Sequence, residues 1–546
     1  MTELEERLQR HTRMEQIRAP WDTLWDDIDT YVTNRRASWH AERRDNRGAI
    51  GAETGRFIYD STAADAGMNL ADMLQGNSAS PYVDWFLPGI RDPQAMRLKV
   101  VRQYFEDLRD AVASYLTNSN FYEQVNEGYQ DKVFHGITTV LGPFWDRGRK
   151  QLVYLARHPR EVFIARDQYE RISLWHREFH LTTVQIDEQF PGWRDKLDPK
   201  DRKKADTEPL ATWCVVHIVE KRKIWDPTKV DTLNMPWRSE YVLKDEKISL
   251  RESGMKNPLI TTAAWRMNSG DPYPRSPAID AIFEIMGLNQ AVRSKMRAVQ
   301  LAVDPAWIAT GDFTAEISIM PGSMLTAETG NDTMKALEMP LQYAAALDEI
   351  QHMQEVVRER FKNMLFLLMS SMDQRITATQ TMEVRSEQLT VLGPIISRDQ
   401  SELLVPLLNN TMQVLGEQKL LPDIPPILQE FMDKSVDITF SGPLAMAQKR
   451  LLQTQGLQQA MQAILPVGQI PQLASVYDNI DPDAYLTEAM TSYGGPPAIE
   501  RDETQRDNMR KQRAEAQAKE QQLQQANVAS QAAANVAKMP QQQQGQ

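Results

Sequence analysis

From Tyr273 to Leu347 the sequence reads as helix, compact insert, helix. The run Tyr273-Pro-Arg-Ser-Pro-Ala-Ile-Asp-Ala281 opens a long amphipathic helix that extends to about Val303, where Asp304-Pro305 breaks it. A short segment rich in Thr, Ile, Pro and Gly follows, and Pro340-Leu-Gln-Tyr343 opens a second long helix. Ile279, Ile282, Phe283 and Met286 fall on one face of the first helix, and Val292, Met296, Val299 and Val303 continue an apolar face. In the second helix Leu347, Ile350, Met353, Val357, Met364 and Leu368 form the apolar stripe, with Asp348, Glu349, Glu355 and Glu359 on the polar side. A helical hairpin tipped by a small insert is a poor frame for an enzyme pocket. It suits a subunit that packs beside copies of itself in a ring.

Bulk properties fit that reading. A chain of 546 residues carries a prior of about three or four domains and can bury a sizeable core. The net charge of −12 argues against a surface that grips nucleic acid throughout, yet an acidic wall that repels phosphate lets DNA pass without sticking. The longest strongly apolar run, Met364-Leu-Phe-Leu-Leu-Met369, is far below the roughly 18 residues that span a bilayer. Met1-Thr-Glu-Leu-Glu-Glu6 is charged and has no apolar signal core, so synthesis in the cytoplasm is expected. The single cysteine, Cys214, excludes intrachain disulfides and cysteine-based zinc; within Ala211–Val219 it reads as a small buried hydrophobe.

Residues 2–33 read as a helix on the recurrence of Leu4, Leu8, Ile17, Trp21, Leu24, Trp25 and Ile28. The arginine-bearing stretch Thr33–Thr54 reads as a solvated loop. A helix from Ala63 to about Gly76 takes Asp60 or Ser61 as its cap, and two more helices split near Thr117–Asn120. From Gly136 the period becomes two, giving strands at 137–146, 150–156, 161–166, 170–180, 211–220 and 239–243. Thr377 to about Lys419 reads as a long helix with Pro394 and Pro406 as kinks or first-turn positions, Val436–Phe440 as a strand and 443–493 as helices. The tail, 501–546, holds thirteen Gln and nine Ala and cannot build a core; its middle can be helical, and Met539–Gln546 is expected to be disordered. The fold class is α+β and helix-rich.

Catalytic signatures are missing. There is no Walker A sequence, no Gly-x-Ser-x-Gly and no His-Glu-x-x-His. In His176-Arg-Glu-Phe-His180 the two histidines would share a face and could bind metal on a helix. Their flanks alternate as a strand, where His176, Glu178 and His180 would line an exposed polar face. Asp481-Pro-Asp483 reads as a helix cap, and Trp25-Asp-Asp-Ile-Asp29 as a helix with its acids on the wet side. No catalytic residue, metal or cofactor is expected.

A series of short motifs carries a resemblance over most of 15–450. It runs through Trp25–Tyr31, Arg56-Phe-Ile-Tyr-Asp-Ser-Thr-Ala63, Leu70-Ala-Asp-Met-Leu-Gln-Gly76 and Trp85-Phe86. Leu181-Thr-Thr-Val-Gln185, Phe190-Pro-Gly192, Glu252-Ser-Gly254, Pro258, Trp265-Arg266, Tyr273–Ala278 and Leu288-Asn289 follow. Thr377-Ala-Thr-Gln-Thr-Met-Glu383, Arg385, Glu387, Leu392-Gly-Pro394, Glu402, Pro406-Leu407 and Ser441-Gly-Pro-Leu-Ala-Met-Ala-Gln448 complete the series. With these the chain resembles the head-to-tail connector (portal) proteins of short-tailed, T7-like bacteriophages. Pro274 stands where that family leads one to expect glycine.

The resemblance implies a ring, usually of twelve subunits, at one capsid vertex of the virion, through which double-stranded DNA is packaged and ejected. It implies a wing (1–277 and 377–441), stem helices (278–303 and 341–369), a clip (304–340), a tunnel loop (370–376) and a helical crown (442–500), with 501–546 outside the family pattern. Terminase, a tail adaptor, tail proteins, major capsid protein and scaffolding protein become the expected partners, with no membrane. Arg375 and Gln374 in the tunnel loop and Lys295 in the stem would face DNA. Arg293 and Arg297 would bridge Asp348, Glu349 and Glu355 between subunits, and Phe313, Ile317, Ile319 and Met320 would meet the adaptor. A metal-dependent DNA-processing enzyme and a non-viral ring scaffold are the competing readings.

Overall fold

The computed structural model describes residues 3–33, 58–90, 92, 95–226, 228–229, 231–304, 307–310, 324–327, 334–336, 343–362, 392–429, 436–440 and 503–537. The chain forms two compact units. One comprises Met1–Phe86, Asp110–Leu421 and Phe440–Leu444, the other Leu87–Arg109, Pro422–Thr439 and Ala445–Gln546.

In the first unit, helix α1 (Glu3–Tyr31) precedes α2 (Thr62–Ser78). The Asp60 carboxylate accepts the Thr62 amide at 2.9 Å, whereas the Ser61 side chain makes no cap bond, so the cap falls to the first of the two expected residues. Helices α3 (Lys99–Thr117) and α4 (Phe121–His135) are split at 118–120 as expected. Gly136 ends α4 in the left-handed region (φ 87°), its amide returning to Lys132 O at 3.0 Å. Against α4, α2 packs through Gly67, where a Cβ would lie 2.6 Å from Phe134 Cζ and 3.3 Å from Phe361 Cε1.

Two antiparallel sheets follow. In the first, β2 (Ile137–Asp146) lies between β3 (Gln151–Arg157) and β9 (Ile260–Ala264). The outer edge of β3 is closed by α4 and its cap. Asn120 accepts the Tyr154 amide and donates to its carbonyl, and Gln124 accepts the Ala156 amide at 2.7 Å. The second sheet is a five-stranded meander, β4 (Val162–Arg166), β5 (Ile172–Thr182), β6 (Thr212–Lys221), β7 (Trp237–Leu243) and β8 (Ile248–Met255), each strand beside the next. Thr182 and Gln185 form a capping box that starts α5 (Thr183–Gln189) between β5 and β6, and α6 (Pro199–Thr207) follows. This excursion covers one face of the sheet with Ile186, Phe190, Trp193 and Leu197 against Trp213, Val215 and Leu243. The opposite face carries Val216, Ile218 and Val242 beneath Leu8 of α1, and Phe163 and Leu174 beneath Met14. Strands covered on both faces lose their alternation, which is why Val215 and Val216 are both fully buried.

Sequence periodicity places six strands within about two residues of their observed ends. It misses β8 and β9. Ile260-Thr-Thr-Ala-Ala264 is buried at every position and shows no period of two. It misses α6 as well, because a charged helix with one buried residue, Ala205, reads like a loop.

The long helix expected from Thr377 is described from residue 392. It runs to Glu417 through a π turn at Gln400–Leu404, immediately before Pro406. Proline has no N–H and crowds the carbonyl four residues back, and the wider turn absorbs both defects. Lys132 of α4 pairs with Asp399 on this helix, both side chains fully buried; burial pushes the lysine amine down to about 7.

In the other unit, β1 (Phe86–Ile90) pairs with β13 (Val436–Phe440), and the expected tail helix runs Glu503–Ala537. Residues 34–57, 441–502 and 538–546 lie outside the described residues, and with them the arginine loop, the crown, the Asp481–Asp483 pair and the terminal residues.

Gly67→Ala is expected to destabilise the first unit by about 1–3 kcal/mol, because the added methyl overpacks against Phe134 and Phe361. A denaturant titration would show a lower midpoint at unchanged slope. An unshifted midpoint would mean that α2 and α4 can separate without cost.

Candidate functional site

The hairpin that dominates the sequence forms in the first unit. Ser276 Oγ accepts the Ile279 amide at 2.9 Å and donates to Phe134 O at 2.7 Å, fixing the start of a short turn, α7 (Pro277–Asp280), to the end of α4. The single helix expected from 278 to 303 breaks at Ala281, and its main part is α8 (Ile282–Val303). The return helix is described as α9 (Tyr343–Arg360). The two run antiparallel, since Arg360 near the end of α9 pairs with Glu284 near the start of α8 at 2.8 Å. Asn289 Oδ1 accepts the amides of Tyr59 and Asp60 at 2.8 and 3.2 Å, and Gln354 donates to Asp60 Oδ2 at 2.7 Å. The base of the hairpin is thus bolted to the chain just before α2.

Ile279, Ile282, Ile285 and Leu288 are buried, as are Ile350, Val357 and Phe361. Phe283, expected on the same face as Ile282, instead points outward and is 80% exposed. A helix advances about 100° per residue, so neighbours cannot both face one partner. Farther along α8, Met296 and Val299 are about half exposed and Val303 is 81% exposed. The second half of the apolar stripe therefore has no cover within the described chain.

Arg293, Lys295 and Arg297 lie on this outer half of α8, and Asp348, Glu349 and Glu355 on α9 are exposed. Among the described residues no ion pair joins the two sets. Arg293 sits 5.5 Å over the Tyr59 ring. Gln374 and Arg375 lie outside the described residues, as do Phe313, Ile317, Ile319 and Met320. Of the insert, three short strands are described: β10 (Trp307–Thr310) between β11 (Met324–Ala327) and β12 (Met334–Ala336).

The largest concentration of buried charge lies where α1 crosses the sheet. Arg7 pairs with Glu240 and reaches Glu220 at 3.5 Å; Arg10 pairs with Glu220 at 2.7 Å. His11 donates to Glu178 at 3.0 Å, and Lys244 lies 3.0 Å from both Glu15 and Glu178. Arg18 stacks 3.5 Å over Phe163 and donates to Val162 O at 3.2 Å. At the far end, Asp29 accepts from His135 at 2.9 Å and pairs with Arg160 at 3.1 Å. His135 and Arg160 hold the Asp29 carboxyl well below the usual range despite its burial.

Four expectations change here. His176 and Glu178 do lie on a strand, but they are buried beneath α1; His180, farther along the same face, is exposed as expected. Asp29 is on the inner side of its helix, not the wet side. Ile17 is 45% exposed, while Arg7, His11 and Arg18 take inward positions. Cys214 is only half buried, its thiol pushed well up by burial and by Glu178. Two acid–histidine groups, Asp29–His135–His158 and His11–Glu15–Glu178, are compact enough to ligate a cation. In each a side-chain cation, Arg160 or Lys244, already stands against the carboxylates.

Over residues 4–499 the chain matches the family described as bacteriophage head to tail connecting protein, and it belongs to that family. It is similar to the probable portal protein of Bordetella phage BPP-1, with 27% identity covering 97% of this chain and 94% of that one. It is also similar to the portal protein of Salmonella phage epsilon15, with 24% identity covering 98% and 95%. Among the described residues no helix is long and apolar enough to cross a membrane.

The buried imidazoles set a pH dependence. Burial holds His176 well below its ordinary value and His217 at about 3. Below about pH 6.5 the unfolded chain takes up these protons and the folded chain does not, so stability falls as pH falls. His217 is expected to remove about 2 kcal/mol between pH 7.5 and 5, and His176 acts in the same direction. Denaturant titrations at both values check this, and His176→Phe is expected to flatten the dependence. An equal slope in the variant would show that His176 is protonated in the folded state.

Proposed function

We propose that this protein is the portal of a short-tailed bacteriophage, a ring subunit at the head–tail vertex through which the genome enters and leaves. The observation that carries the reading is the family match over residues 4–499, joined to a hairpin whose outer apolar stripe is uncovered among the described residues. Met296, Val299 and Val303 leave a strip that a neighbouring copy would cover, in the manner of a cyclic interface repeated around an axis. A ring of twelve subunits is the reading carried from the family resemblance.

In that ring α8 and α9 act as stem, the insert between them as clip toward the tail adaptor, and the loop holding Gln374 and Arg375 as a collar toward DNA. Arg293, Lys295 and Arg297 on one helix and Asp348, Glu349 and Glu355 on the other have no ion-pair partners among the described residues, which leaves them available to bridge between copies. The role is structural and gating. Terminase, capsid, scaffolding and tail proteins are the partners, and the net charge of −12 favours free passage of DNA over adhesion.

Native mass and negative-stain images of the purified protein test the assembly. The expected particle is a ring of about a dozen 62.5 kDa chains with an open centre. A chain lacking 312–332 should still form the ring but lose adaptor binding. A stable monomer across salt concentrations would sink the reading. Arg375→Ala should leave assembly intact and lower DNA retention, because each lost phosphate contact weakens binding uniformly. Normal genome content in variant particles would remove Arg375 from the gate.

A further inference from the structure

On the face of the five-stranded sheet opposite α1, a cleft of about 440 Å³ opens between that sheet and the β2–β3 hairpin. Its charge is unbalanced. Arg157 from β3 and Arg177 from β5 both line it. Arg177 is spoken for: it pairs with Glu161 at 2.8 Å and lies 4.0 Å over Phe179. Arg157 is not. It makes no ion pair or hydrogen bond among the described residues, and its Nε is buried without a partner. Burial and the neighbouring Arg177 depress its affinity for its own proton, against a weaker opposing pull from Glu161 and Glu127. Arg160 is the third guanidinium of the lining and is already paired with Asp26 and Asp29. The acids that border the cleft are engaged elsewhere, Glu161 with Arg177 and Glu178 with His11 and Lys244. The remaining lining includes Phe144, 38% exposed, with Leu141, Leu155 and Leu181.

We propose that this cleft receives a short acidic and apolar segment of a partner polypeptide, with one carboxylate on Arg157 and an apolar side chain beside Phe144. A partly buried guanidinium without a partner gains a charge-assisted, bidentate bond from a carboxylate. The volume holds a few side chains and is too small for a nucleic-acid duplex. A confined positive cleft on a chain of net charge −12 also selects for an acidic partner by contrast with its surroundings. The proposal stands whether or not the chain forms a ring.

Fluorescence anisotropy with the full-length protein tests it, the probe being a fluorescein-labelled hexapeptide of alternating Glu and Leu or Phe. Binding should weaken as salt rises, and by about tenfold or more in Arg157→Gln. Phe144→Glu, at the exposed mouth, should weaken it similarly by setting a carboxylate beside the incoming one. Lys229→Gln, far out on an exposed loop, should change nothing. Thermal unfolding checks that each variant folds; if Arg157→Gln does not, Phe144→Glu decides. No binding by the wild-type protein, or binding that survives both variants, overturns the proposal. So does tighter binding of single-stranded hexathymidylate through the same Arg157, which would make the cleft a nucleic-acid site.

Discussion

The fold depends on how α1 is held. This helix runs across the five-stranded sheet and then onto α4, and half of what it buries is polar: Arg7, His11, Arg18 and Asp29 face inward alongside Leu8, Met14, Trp25 and Ile28. Removing charges from water is expensive, and such pairs seldom add net stability over well-packed apolar groups. Their effect is on register. Arg7 finds Glu240, His11 finds Glu178 and Asp29 finds His135 only at one rotation and one axial position of the helix. A shift by a single residue would leave buried charges without partners.

That fixed helix carries the rest. Trp25 donates to His135 O and packs edge-on against Tyr273, so α1 touches both the end of α4 and the segment that introduces the hairpin. Ser276 ties that segment to Phe134 O, and Asn289 with Gln354 clamps it to the residues before α2. The base of the hairpin is therefore over-determined, while in its outer half Met296, Val299 and Val303 have no cover among the described residues. A rigid base with an uncovered apolar arm is the division expected of a subunit whose core folds alone and whose arm is completed by a neighbour.

How far the sequence discloses this differs from element to element. Strands with one polar face, such as β5, are readable because their period of two survives, whereas β9 is buried at every position and carries no period. The hairpin is readable from its stripes and breakers, but the turn at Ala281 and the outward Phe283 depend on packing against α2 and α4. The inward face of α1 is hidden because arginine and histidine occupy core positions that a hydropathy pattern scores as solvent. The charge pairs of α1 bring together residues more than a hundred positions apart, and no local pattern announces them.

By itself the sequence determined the helix-rich α+β class, the order of helices and strands, the hairpin with its insert, and, through motifs spread along the chain, its family. These are properties of local spacing and of residue types in order. Only the tertiary structure decided that His176 and Glu178 are buried beneath α1, that Arg160 and Lys244 stand where a metal would, that a π turn absorbs Pro406, and that the Arg157 side chain has no hydrogen-bond or ion-pair partner among the described residues. Each of those depends on what the chain places opposite a residue, and that is set by long-range packing rather than by neighbours in sequence.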